Sequence, residues 1–125
     1  MKEIVYKEES FKIIGACMKV HAELGAGFLE SVYQEALGIE LTDENIPFRP
    51  QAPIEIYYNK YKLNKRFVAD FFCYDDIIVE IKAVSQIIAE HEAQIINYLK
   101  ATNVRLGLLI NFGSSSLTYK RYINL

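Results

Sequence analysis

Tryptophan is absent from the 125 residues, cysteine occurs twice and proline three times. Without a CxxC or a Cys/His pairing, Cys17 and Cys73 are expected as free, buried thiols in a reducing compartment, not as a disulfide or zinc site. No stretch approaches the roughly twenty apolar residues of a membrane span, and Met1 to Glu9 carries no signal-peptide core, so a cytoplasmic protein with no membrane partner is expected. Positive charge is not in excess either. Fourteen Lys and Arg face sixteen Asp and Glu, for a net charge of -2 and a pI near 5.7. That balance excludes coating of nucleic acid by bulk charge alone, so a polyanion would need a local patch, metal ions or another subunit.

What is present is core-forming material: 51% of the residues are hydrophobic and 13% aromatic, the latter being nine Tyr and seven Phe. A disordered chain is excluded, and one domain over residues 1–125 is expected. Ser10 is a candidate N-cap for a helix reaching Gly25, with Phe11, Ile14, Met18 and His21 at helical spacing. Gly25-Ala26-Gly27 breaks it, and a second helix runs from Glu30 to about Glu44. Pro47, Pro50 and Pro53 exclude helix; strands are read over Ile54 to Tyr58, Tyr61 to Phe72 and Ile77 to Lys82. Ile87 to Thr102 returns to helical periodicity, with Ile88, Ile95 and Leu99 in one apolar line. Val104 to Ile110 reads as a doubly buried strand and Leu117 to Ile123 as a more exposed one. The order α-α-β-β-β-α-β-β predicts an α/β (α+β) fold with a mixed central sheet flanked by helices. The third strand, the helix after it and the fourth strand predict a right-handed crossover.

Three charges interrupt the most apolar strands: Asp70 after Phe67-Val68-Ala69, and Glu80 and Lys82 within Ile77 to Val84. Strand alternation puts Glu80 and Lys82 on one face, and a turn at Asp75-Asp76 would lay Asp70 beside Glu80. Adjacent carboxylates repel unless a divalent cation binds between them; Mg²⁺ takes a few such oxygens with waters and substrate phosphate, and a nearby Lys can stabilise an attacking hydroxide. A buried structural ion pair with Lys82 is the plainer alternative. On the next helix His91, Gln94 and Tyr98 share a face that could orient phosphate or merely cap the sheet. Glu30 reads either as a favourable helix start or as a site acid, and His21 as a core histidine or a ligand. Lys60, Lys62, Lys65 and Arg66, with Tyr57, Tyr58 and Tyr61, form the one local candidate for nucleic-acid contact, or else a solvated hairpin.

The stretch His21 to Tyr33, with Gly27, Glu30 and Tyr33 at the naming positions, resembles the signature of the GxxExxY proteins. Val79-Glu80-Ile81-Lys82-Ala83-Val84, His91-Glu92-Ala93-Gln94, Asn97-Tyr98-Leu99 and Gly107 to Gly113 look like later blocks of that family, in order and at compatible spacings. The family is similar to the PD-(D/E)xK nuclease superfamily, which implies a restriction-endonuclease-like core. By that resemblance Asp70, Glu80 and Lys82 form the motif, Glu30 is the acid from the first core helix, and Gln94 and Tyr98 match a QxxxY feature. Ala69 stands where the motif name has Pro, at a position that carries no ligand. The resemblance implies Mg²⁺ or Mn²⁺ held by Asp70, Glu80 and Glu30, and a nucleic-acid substrate, DNA in the first instance. Three functions compete: a metal-dependent nuclease, a catalytically silent module in a nucleic-acid-associated complex, and a structural interaction protein. A homodimer or partner subunit would enlarge the surface a small acidic chain offers a duplex.

Overall fold

Acidic residues near a helix start are stabilised by its positive end, and Glu8 and Glu9 occupy the first turn of α1 (Lys7–Leu24). The computed structural model, which describes residues 5–124, thus starts this helix before Ser10. Ser10 is not the cap; it is buried, and its hydroxyl receives the Arg121 guanidinium at 2.5 Å. Tyr6, in the left-handed region, precedes the helix, and its hydroxyl donates to the Asp76 carboxylate.

After α2 (Glu30–Asp43) the chain forms β1 (Phe48–Tyr58) and β2 (Tyr61–Cys73), then β3 (Ile77–Lys82), α3 (Ala89–Thr102), β4 (Leu106–Asn111) and β5 (Thr118–Ile123). β1 begins six residues before the strand expected at Ile54 and contains Pro50 and Pro53. It lies at the edge of the sheet, where a missing N–H interrupts no second ladder. The five strands lie in chain order, β3 and β4 parallel through the α3 crossover and the other neighbours antiparallel.

Side-chain alternation divides the core between two faces. Ile77, Val79 and Ile81 of β3 meet Ile13, Cys17 and Val20 of α1 and Tyr33, Leu37 and Leu41 of α2. Ile78 and Leu109 meet Ile95, Tyr98 and Leu99 of α3 on the other side. Gly107 permits that close approach, since a Cβ there would stand 3.0 Å from the Ile95 side chain. Ile88 does not join the line expected of it: it precedes the first helical residue and is 47% exposed. Cys17 and Cys73 are free and buried as expected, and burial pushes both thiols up, Cys73 to about 12. Among the described residues no helix is long and apolar enough to cross a membrane.

Candidate active site

β2 and β3 pair from Cys73 opposite Ile77 as far as Phe71 opposite Val79, and the backbone ladder stops there. Parting strands orphan backbone N–H groups, which must find other partners when buried. Two carboxylates supply them. The Asp70 N–H donates to Glu80 Oε2 at 2.6 Å, and the Ile81 N–H donates to Asp70 Oδ2 at 2.8 Å. Gln34 of α2 completes the fixing of this residue by donating from Nε2 to the Asp70 carbonyl at 3.1 Å.

The divergence has a visible local cause. On β2, Phe71 and Cys73 face α1 and α2, so strict alternation would send Ala69 the same way, yet Ala69 packs in the α3 cluster with Ala52 and Ile54. The alternation therefore breaks at Asp70. Opposite, in β1, Gln51 has φ +48° and forms no ladder pair with Asp70, although Pro50–Phe71 and Ala52–Ala69 on either side keep one register; the register shift of this hairpin lies further out, between Glu55 and Tyr57. A left-handed residue in a strand turns the side chains beyond it and bends the pair, as at a bulge.

Burial dominates the electrostatics. Glu80 is 3% exposed; burial pushes its carboxyl up to about 8, and the Asp70 charge acts in the same direction against the Asp70 N–H and Lys82. Asp70 is also raised, first by burial, with the Ile81 N–H and Lys82 opposing and Glu30 adding to the rise. The pair therefore retains a proton at neutral pH. Lys82, on the same face as Glu80, donates from Nζ to Gln94 Oε1 at 2.8 Å. Among the described residues it forms no ion pair with either acid, so the structural ion pair is not the arrangement found. Tyr98, one turn beyond Gln94, is buried against Phe67 with ring centroids 4.8 Å apart. Burial, then the Glu80 and Asp70 charges, push its hydroxyl up to about 12, which keeps it a proton donor.

Glu30 is exposed in the first turn of α2 and reaches the acid pair through its charge, without a shared hydrogen bond. Its placement follows from the glycine loop before it. Gly27 has φ +113°, and the buried Tyr33 stacks on Phe112 at 4.7 Å while its hydroxyl donates to the Gly25 carbonyl and receives the Phe28 N–H. The glycine, acid and tyrosine at this spacing thus act together: the first turns the chain, the last pins the loop, and Glu30 starts the helix where they leave it.

Other sequence candidates fall into structural positions. His91 accepts the Ile88 N–H on Nδ1 and so closes the start of α3; His21 Nε2 lies 3.0 Å from the Ser114 carbonyl and fastens α1 to the β4–β5 loop. The basic run occupies the β1–β2 hairpin, with Lys60, Lys62, Lys65 and Arg66 all exposed. Sequence reasoning missed Gln34 and Asn111. Buried Asn111 binds both the N–H and the carbonyl of Val84, holding the segment after Lys82. Gly113 lies against that segment, where a Cβ would come within 2.3 Å of the Val84 backbone. The signals were there: Gln34 is one helical turn after Glu30, and Asn111 is a lone polar residue ending an apolar strand.

A mixed sheet with helices on both faces, and two acids with a lysine where its central antiparallel pair opens, define a nuclease-like fold. Residues 7–122 match the family model described as PD-(D/E)XK nuclease superfamily, and the chain belongs to that superfamily. No curated protein matches the chain. Among solved structures it is similar to the one titled "Crystal structure of SSO0001", with a TM-score of 0.55 and 14% identity over 90% of this chain. This chain spans 65% of the length of that one. Among the described residues no group of three or more His, Cys, Asp or Glu is disposed to hold a metal ion.

Proposed function

We infer that the protein is a divalent-metal-dependent nuclease that hydrolyses phosphodiester bonds, of DNA in the first instance, with water as nucleophile. The observation that carries this reading is the Asp70–Glu80 pair at the parting of β2 and β3, two acids crowded until one keeps its proton. Crowded hard oxygens suit Mg²⁺ or Mn²⁺, which needs one or two carboxylates and completes its shell with water and phosphate. Asp70 and Glu80 would hold the ion, with Glu30 adding negative charge from α2. Bound there, the metal would supply an activated water and offset charge on the phosphoryl oxygens.

The chain's own groups divide the remaining work. Lys82, spared from an ion pair and held by Gln94, would stabilise the attacking hydroxide and the charge growing on phosphate. Tyr98, kept protonated, would donate a hydrogen bond within the same cluster. A catalytically silent module in a nucleic-acid-associated complex is the second reading. The net charge of -2, which gives no wide field to draw in a polyanion and leaves that task to a partner, favours it.

Calorimetric titration with Mn²⁺, paired with a DNA degradation assay, tests the reading. The parent should bind the ion and degrade DNA; Asp70→Asn and Glu80→Gln should lose binding and remain folded; Lys82→Ala should bind the ion but lose hydrolysis. Mn²⁺ binding without hydrolysis by the parent would favour the silent module, and no binding at all would remove both metal-based readings.

A further inference from the structure

Beyond Asp70, the long hairpin leaves the five-stranded sheet: β2 has no β3 partner before Phe71, so residues 52–69 pair only across β1 and β2. An isolated two-stranded ribbon is marginal in water, and this one is anchored at its base alone, where Ala52, Ile54 and Ala69 join the α3 core with Phe67 packed against them. The outer part has a different character. Tyr57, Tyr58 and Tyr61 are 57%, 68% and 67% exposed, and Tyr58 lies directly opposite Tyr61 at the turn.

Charge separates the ribbon from the rest of the molecule. Lys60, Lys62, Lys65 and Arg66 stand against one acid, Glu55, in a chain whose net charge is -2. Glu55 is taken up by Lys62 at 3.0 Å and by the Tyr57 hydroxyl at 3.0 Å. Arg66 stands directly opposite Glu55 in the ladder and its charge helps to lower that carboxyl, whereas Lys60 and Lys65 form no ion pair among the described residues. Exposed rings beside unneutralised cations are the two components of a single-strand platform, on which unpaired bases stack while the phosphates meet ammonium groups. A duplex offers its base faces only at its ends, so the rings favour an unpaired strand.

We propose that the β1–β2 ribbon binds single-stranded DNA through Tyr58 and Tyr61, with Lys60 and Lys65 on the backbone, and leads the strand toward the candidate active site. The proposal deepens the nuclease reading and rests on it for the direction in which the strand runs. An open cavity of about 330 Å³ lies between the base of the ribbon and α3, lined by Phe67 together with Gln94 and Tyr98 of the candidate site. Ring faces and cations do not read a 2′-hydroxyl, so the choice of DNA as occupant follows from the nuclease reading on which the proposal rests.

The test measures binding by fluorescence anisotropy in EDTA, where binding is read apart from metal-dependent hydrolysis. The probes are a labelled oligothymidylate of roughly twenty nucleotides, a duplex of equal length and the matching single-stranded RNA. The parent should prefer the single-stranded DNA. The double variant Tyr58→Ala/Tyr61→Ala should weaken that binding by roughly tenfold or more, Tyr58→Phe/Tyr61→Phe should restore it, and Lys60→Ala/Lys65→Ala should flatten its salt dependence. Melting temperatures close to the parent's will show that the variants fold. Equal or tighter binding of the duplex or of RNA, unchanged binding by the tyrosine-to-alanine double variant, or no binding by the parent would each overturn the proposal. A protein that binds the oligothymidylate through the two tyrosines but does not hydrolyse it with Mn²⁺ sinks the nuclease reading alone. Hydrolysis lost in Asp70→Asn but untouched in Tyr58→Ala/Tyr61→Ala sinks the ribbon alone.

Discussion

Two glutamates lie on the strands either side of β2, Glu55 on β1 and Glu80 on β3, and are perturbed in opposite directions. Glu80, within the sheet, has lost its water, and burial raises its carboxyl to about 8. Glu55, on the ribbon, keeps its water, and hydrogen bonds from Lys62 and then Tyr57 lower its carboxyl. The contrast follows the course of β2. Its inner end, Phe71 to Cys73, is fully covered, whereas Tyr61 to Arg66 is exposed, and Asp70 stands at the crossing. A hydrolytic site needs both conditions, burial to make carboxylates want a cation and an open side for substrate. The end of a ladder provides them within one residue.

The largest expected effect probes the covered end. Phe71 is fully buried, packs edge-on against Phe48 at 5.8 Å and directly precedes the divergence. Phe71→Ala should cost about 3–5 kcal/mol in urea unfolding, through lost transfer energy and a cavity in the α1/α2 core. In the outer half, Leu63→Ala should change the unfolding free energy by less than about 0.5 kcal/mol, since Leu63 is 39% exposed. Similar costs at the two positions would show that the ribbon is as well supported as the sheet, and the comparison would fail.

The next effect is a pH dependence. Glu80 titrates higher in the folded chain than when unfolded, so the folded state binds more protons between the two values. Its contribution to stability is full below its ordinary value of 4.5 and is lost as the pH rises through about 8. Over that window the parent in metal-free buffer should lose stability on the order of 1 kcal/mol per pH unit. Glu80→Gln should abolish that slope and match or exceed the parent at the alkaline end. A parent stability that is flat or rises with pH over the same window, measured in urea at several pH values, contradicts the buried, proton-retaining pair.

Much of this arrangement is legible in the sequence because it rests on periodicity. Alternation puts Glu80 and Lys82 on one side of β3 and Ile77, Val79 and Ile81 on the other, and helical spacing brings Gln94 and Tyr98 to one face. What escapes is decided by neighbours. Pro50 and Pro53 exclude helix but do not announce the strand they occupy, which they can join because β1 is an edge, and Ser10 looks like a cap until Arg121 claims it. The break in alternation at Asp70 depends on Gln51 across the hairpin having φ +48°, which no local pattern announces. Gln34 and Asn111 act through backbone atoms far away in sequence, Asp70 and Val84, so their partners appear only once the sheet is assembled.

The smallest effect belongs to the other glutamate, where the same chemical change should do almost nothing. Glu55 and Lys62 are a cross-ribbon ion pair with side chains 51% and 60% exposed. Water and salt screen such a pair, and ordering two flexible side chains offsets most of what remains. Because the Glu55 carboxyl is lowered, its contribution to stability is present above its ordinary value of 4.5 and is lost as the pH falls below it, opposite in sign to Glu80. Glu55→Gln should therefore leave the alkaline limb of the stability curve intact and shift the unfolding midpoint within measurement error, with any residual change vanishing in high salt. A slope in Glu55→Gln resembling that of Glu80→Gln would mean that the ribbon is buried in solution, against a surface other than the described chain, and the contrast between the two halves of β2 would have to be drawn again.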